Sequence, residues 1–180
     1  MYQYFTRLLL FCLLLGLTSC VDGGAEDLTI TEADFVGSWT IAELSGDFNV
    51  TGDASGTPIR DQGSSSISNS DLQIILYDDG QWTSTGSYTV TIVTDDDRQV
   101  RQESGIGSGT WSYRNEKLIL SGMENKNGNG YFVNPQECTI LDFVRSEQVG
   151  LVTRMDVTES DPDFGITLRT QGEYLIQLLR

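Results

Sequence analysis

The chain has 180 residues, with 11 Lys+Arg against 26 Asp+Glu, a formal net charge of −15 and no histidine. That length supports one domain with a real core. The missing imidazole excludes Ser-His and Cys-His nucleophile pairs, HExxH zinc sites and histidine acid–base chemistry, and the acidity opposes binding to nucleic-acid phosphates.

In chain order, Arg7 precedes the apolar run Leu8–Leu17 and then Thr18-Ser19-Cys20, the order of charge, apolar core and small residues that marks a signal segment. The run is too short to span a bilayer, which takes about 20 apolar residues. Leu17-Thr18-Ser19-Cys20 resembles the lipobox of bacterial lipoproteins. The resemblance implies removal of residues 1–19, diacylation of the Cys20 thiol and acylation of its new amino group. Each buried CH₂ contributes about 0.8 kcal/mol, and more than one chain makes anchoring stable. The alternative reading of the same residues is a plain secretory signal with an incidental cysteine. Val21 rather than Asp follows Cys20, which in such lipoproteins implies the outer membrane, and the acids Asp22, Glu26 and Asp27 point to its outer surface. Residues 20–30 then form a lipidated N-terminus and tether, and residues 31–180 the folded domain. With Cys12 discarded and Cys20 lipidated, Cys138 is alone without a disulfide partner and reads as a half-buried strand thiol.

Thr31 and Asp34 bracket a single capped helical turn. From Gly37 onward period two dominates. Trp82, Ser84, Gly86, Tyr88, Val90 and Ile92 alternate with Thr83, Thr85, Ser87, Thr89, Thr91 and Val93, a half-buried strand. Val149, Leu151, Thr153, Met155 and Val157 repeat the pattern. Further strands are expected at 38–44, 72–77, 99–103, 109–113, 117–121, 139–145, 166–170 and 173–179. Asp78-Asp79-Gly80, Asp95–Asp97, Asn115-Glu116 and Ser146–Gln148 supply hairpin turns. Short links predict an all-β, antiparallel up-and-down meander, closed into a barrel or stacked as a sandwich; closure removes exposed edges. Two polar stretches interrupt it. Residues 45–70 are expected to be a disordered Gly/Ser/Asp-rich loop, and residues 123–136 a second long loop.

All three tryptophans follow a glycine at the same spacing, in Gly37-Ser-Trp39, Gly80-Gln-Trp82 and Gly109-Thr-Trp111. Glycine allows tight entry to a strand, and the indole fills the core. Phe35-Val-Gly-Ser-Trp-Thr40, after a helical turn and opening the first strand, resembles the Gly-x-Trp signature of lipocalins. With the later Trp strands and Lys117–Leu120, the chain looks like the lipocalin-like domains of small Bacteroidetes-type lipoproteins. The resemblance implies a barrel, here of about eight to ten strands, holding a small apolar molecule. It also implies an arginine packed over the first tryptophan, for which Arg154 and Arg169 are candidates without a deciding motif. The inner-face residues Trp82, Tyr88, Val90, Ile92, Leu151 and Met155 are the candidate ligand lining, and they could equally fill the barrel.

Asp95–Asp97 and Asp161-Pro-Asp163 carry oxygen donors but read as solvated turns, since the remaining donors of a calcium loop are absent. No carboxylate pair stands out for glycoside hydrolysis. The expectation is therefore a non-enzymatic, membrane-anchored lipoprotein with no cofactor and no metal, carrying a small apolar ligand. The alternative is a surface β-module that binds a glycan or a protein through its long loops. An apolar cavity above roughly 300 Å³ favours the first; a filled barrel with exposed Trp or Tyr favours the second.

Overall fold

The structure, a computed structural model, describes residues 29–123 and 135–180. The signal segment, Cys20, most of the tether and residues 124–134 of the second polar stretch lie outside the described residues.

One helical turn, α1 (Glu32–Phe35), precedes eleven strands: β1 (Gly37–Ala54), β2 (Thr57–Ser68), β3 (Gln73–Leu76), β4 (Gln81–Thr85), β5 (Ser87–Thr94), β6 (Arg98–Ser104), β7 (Ser108–Arg114), β8 (Lys117–Ser121), β9 (Gln136–Val144), β10 (Gln148–Asp161) and β11 (Ile166–Leu179). All strand pairings are antiparallel, and β11 pairs back onto β1. The ring β1-β3-β4-β7-β8-β9-β10-β11 is thus a closed eight-stranded, lipocalin-like barrel. The three remaining strands, β2, β5 and β6, continue from the far half of β1 as an extension.

The long strand β1 explains both parts. Residues 37–40 pair with β3, and residues 45–54 pair with β2. A register shift against β11 between Ile41 and Glu43 falls where β1 changes partner, as bulges do where a strand bends. β1, β10 and β11 therefore run through the barrel wall and on into the extension.

The barrel is filled. Trp39, Trp82, Leu118, Cys138, Val149 and Leu151 are at most 2% exposed, consistent with an interior that eight strands leave just wide enough for side chains. Each indole N–H finds a backbone carbonyl: Trp39 donates to Phe35 at 2.7 Å, Trp82 to Ser121 at 2.8 Å and Trp111 to Tyr77 at 2.8 Å. α1 plugs the end where β1 starts. Its Phe35 is fully buried against the rings of Trp111, Tyr113 and Phe143. The Asp34 carboxylate accepts from the Thr31 N–H at 2.8 Å and pairs with Arg145 at 2.8 Å.

Several expectations need correction. Residues 45–70 are not a disordered loop; they form the rest of β1, all of β2 and the turn between them. Ser55 and Gly56 both have positive φ (53° and 87°), the two-residue turn that matches the twist of paired strands. The strand expected from Trp82 to Ile92 is broken at Gly86 (φ 98°), where a Cβ would sit 2.3 Å from the Asp71 carbonyl oxygen. The strands expected at 166–170 and 173–179 are one, because Gly172 makes room for Phe48 on β1 rather than a turn. Cys138 is fully buried rather than half-buried.

The arginine over the first tryptophan is neither Arg154 nor Arg169. Arg169 makes a two-pronged pair with Asp156 at 2.6 and 2.7 Å, and Arg154 lies 3.6 Å from Glu173. Arg180 does the packing, its guanidinium carbon 4.3 Å from the Trp39 ring centre. It also donates to the Val36 carbonyl. A cation over an indole face at an exposed site is worth about 0.5–1 kcal/mol.

Candidate functional site

The barrel end away from α1 opens under the extension. β4 leaves the wall at Gly86 to become β5, and the chain returns from β6 to β7 through Gly105 (φ 60°) and Gly107 (φ 120°). This corner is fastened by short-range polar contacts. Asp71 accepts from the backbone N–H and the hydroxyl of Ser87, and these bonds hold its carboxyl below the usual range. The Ser84 hydroxyl donates to the Gly107 carbonyl at 2.7 Å and accepts from the Ile106 N–H at 2.7 Å.

Beyond the corner the extension curls over a cleft of about 310 Å³. Its floor is the top of the barrel, at Met155 and Ile106. Its apolar wall is Leu44, Phe48 and Val50 from β1, Ile67 from β2, and Tyr88, Val90 and Ile92 from β5. Alternation puts these side chains on one face, and register places Ile67 beside Val90. Next to β5 the lining turns polar, with Asp97, Gln99, Arg101 and Glu103 along the edge strand β6 and its approach.

Glycines in the strands make the space that aromatic rings occupy. Phe48 lies opposite Gly63 on one side and Gly172 on the other. A Cβ on Gly63 would come within 2.7 Å of its ring. Tyr174 lies opposite Gly46, where an added Cβ would be 2.8 Å from its ring, and its hydroxyl oxygen accepts from Ser65 at 3.1 Å. Burial, and then the nearby Glu103 charge, push the Tyr88 hydroxyl pKa up.

Of the six candidate lining residues, Tyr88, Val90, Ile92 and Met155 line this cleft. Trp82 and Leu151 lie in the packed barrel interior at 1% and 2% exposure. Sequence reasoning missed Phe48, Val50, Tyr174 and the polar wall. The signal was present in the alternation of Phe48 and Val50 before Ser55-Gly56, but the surrounding small polar residues masked it.

Beneath the floor, Thr153 follows the inward face of β10 one step below Met155, and its hydroxyl donates to the Glu137 carbonyl at 2.7 Å. The Gln136 amide donates to Thr153 and to the Arg154 carbonyl, while its Oε1 is buried without a partner. Among the described residues no three His, Cys, Asp or Glu side chains converge to hold a metal. Asp161 instead accepts from the backbone N–H groups of Asp163 and Phe164 at 3.1 and 3.3 Å, shaping the β10–β11 turn.

No family model matches the chain. An alignment 117 positions long, covering 60% of the chain, is 32% identical to the DNA-directed RNA polymerase subunit beta′ of Prochlorococcus marinus (strain MIT 9313). The chain spans 8% of that subunit's length, so the similarity is local. It assigns no role to any residue of the cleft.

Proposed function

We propose that this protein is a non-enzymatic, lipid-anchored carrier that binds a small apolar ligand in the cleft above its barrel. The observation that carries the reading is the cleft itself. Its volume of about 310 Å³ lies at the lower end of small-molecule sites, which are concave, mostly apolar and edged by a few polar groups. The barrel interior is excluded as the ligand site by its packing, so the site has moved up one level, onto Phe48, Val50, Tyr88, Val90 and Ile92. The binding test is native mass spectrometry of the full chain with organic extraction of anything that co-purifies. A bound small molecule that is lost in a Val90→Trp variant supports the carrier; a protein that never holds one overturns it.

The anchoring half of the reading rests on Leu17-Thr18-Ser19-Cys20 and on the small, acidic stretch before Thr31. It places the body at the outer membrane through lipid on Cys20, with the plugged barrel end toward the anchor and the cleft beyond it. A Cys20→Ala variant is expected to leave the membrane fraction; one that stays there rules out lipid anchoring. The alternative, a module binding glycan or protein through long loops, is less favoured. Residues 45–70 are paired strands, and all three tryptophans are buried.

A further inference from the structure

We propose that the ligand of the cleft carries a positive charge beside its apolar body, and that Glu103 receives that charge. The inference rests on the cleft being the binding site and names the chemistry of what it takes. Glu103 is the one half-buried residue of β6, whose other positions are exposed. It stands directly opposite Tyr88 in the β5–β6 register, and both face the cleft.

The Glu103 side chain makes no hydrogen bond and no ion pair among the described residues. Its charged neighbours on the same wall do not neutralise it, since Asp97 is itself an anion and Arg101 is engaged elsewhere. Asp97 is occupied by the Arg98 N–H at 2.7 Å and the Gln99 amide at 2.9 Å. Arg101 is exposed at the rim and donates to the Gln99 side-chain oxygen, not to Glu103. A half-buried carboxylate facing apolar side chains without a partner is costly unless something positive fills the place. Tyr88, Phe48 and Tyr174 line the same cleft, and aromatic rings can attract ammonium groups. The net charge of −15 raises the local concentration of cations. A carboxylate or phosphate ligand would meet Glu103 and Asp97 head on. The fitting class is an amine or quaternary ammonium on an aliphatic or aromatic body, the body lying on Val90, Ile92 and Phe48.

The test is calorimetric titration of the full chain with three probes that share one body and differ in charge: phenylbutyl trimethylammonium, phenylbutanol and phenylbutanoate. The cation is expected to bind roughly five- to tenfold more tightly than the anion, with the alcohol between. Glu103→Gln should cut that preference severalfold, and Arg101→Gln should leave it in place. Glu103→Lys should reverse it, which keeps the test decisive if the Gln variant folds poorly by circular dichroism. A preference unchanged by Glu103→Gln overturns the assignment. Should all three probes bind alike and Val90→Trp weaken them all, the cleft stands and the charge assignment falls. Should none bind, or Val90→Trp change nothing, the cleft reading fails and takes the assignment with it.

Discussion

The barrel and the extension are built on the same three strands, β1, β10 and β11, yet one is filled and the other is open. On β1 the inward face reads Trp39 and Ile41 in the barrel, then Leu44, Gly46, Phe48, Val50 and Gly52 beyond it. Backbone pairing is equally continuous in both halves, with β1 held between neighbours along nearly its whole length. What differs is side-chain volume and closure. In the barrel large side chains meet from all sides of a complete ring, so they exclude water and each other's vacancies. In the extension glycines alternate with rings and the sheet ends at β6, so the concave face keeps a gap. Pairing alone makes a wall; volume on the inner face decides whether the wall encloses a core or a cleft.

The largest test of that contrast is thiol trapping. Burial pushes the Cys138 thiol to about 11, and it lies inside the ring. In a background with Cys12 and Cys20 replaced, its reaction with a disulfide reagent should be suppressed at least roughly a thousandfold relative to a free thiol, since access requires opening of the barrel. A Ser64→Cys thiol on the exposed face of the extension should react at once. Comparable rates at the two positions would mean the barrel is not the stable half.

Stability should divide the same way. Trp39→Ala removes a fully buried indole, its bond to Phe35 and its contact with Arg180, at a cost of about 3–5 kcal/mol. Phe48→Ala, at a half-buried cleft position, should cost under about 2 kcal/mol while abolishing probe binding. Urea unfolding of the two variants measures the first effect and titration the second. A smaller step is Gly63→Ala. The new methyl would lie 2.4 Å from the Val93 carbonyl oxygen and 2.7 Å from the Phe48 ring, so it should destabilise by about 1–3 kcal/mol and shrink the cleft. Unchanged probe affinity would show that Phe48 does not shape the site.

The smallest expected effect lies at the corner joining the two regions. Asp71 is held below its ordinary value of 3.8, first by the Ser87 N–H and then by the Ser87 hydroxyl. A carboxyl with a depressed folded-state pKa contributes stability that is present above its unfolded value and is lost as pH falls through the folded one. Asp71→Asn should therefore lower the melting temperature slightly at neutral pH, and the gap from the parent should close on acidification. A gap that stays constant down to strongly acidic pH would show that Asp71 does not fasten the corner through its charge.

Much of the barrel was legible before the structure. Strands β3, β7 and β8 lie within a residue or two of the alternation that predicts them, because β3 and β8 are short apolar runs and β7 carries Trp111 and Tyr113 at period two, each between turn signals. The Gly-x-Trp triplets mark three buried indoles for the same reason. The extension was largely illegible. β2 carries Ser64, Ser65, Ser66 and Ser68 around Ile67, with Ile59 its only other isoleucine, so its alternation has little hydrophobic amplitude, and it is a strand because β1 and β5 pair with it. Four of the six candidate lining residues reached the cleft. Trp82 separated from them because the face it shares with Tyr88 is cut by the turn of the chain at Gly86, and Leu151 because it lies four residues before Met155 on β10, inside the packed ring.

Local sequence determined the all-β class, the capped turn at Thr31–Asp34, the buried tryptophans and the acidity, because each depends on residue type and on periodicity within one segment. Only the tertiary structure decided that Arg180, adjacent to the end of β11, covers Trp39, that one end of the barrel is plugged by Phe35, and that the Glu103 side chain lines a cleft with no partner among the described residues. Those facts depend on which strands become neighbours across the ring. Neighbours are chosen by closure and by where glycines let the backbone bend, not by any pattern within a single strand.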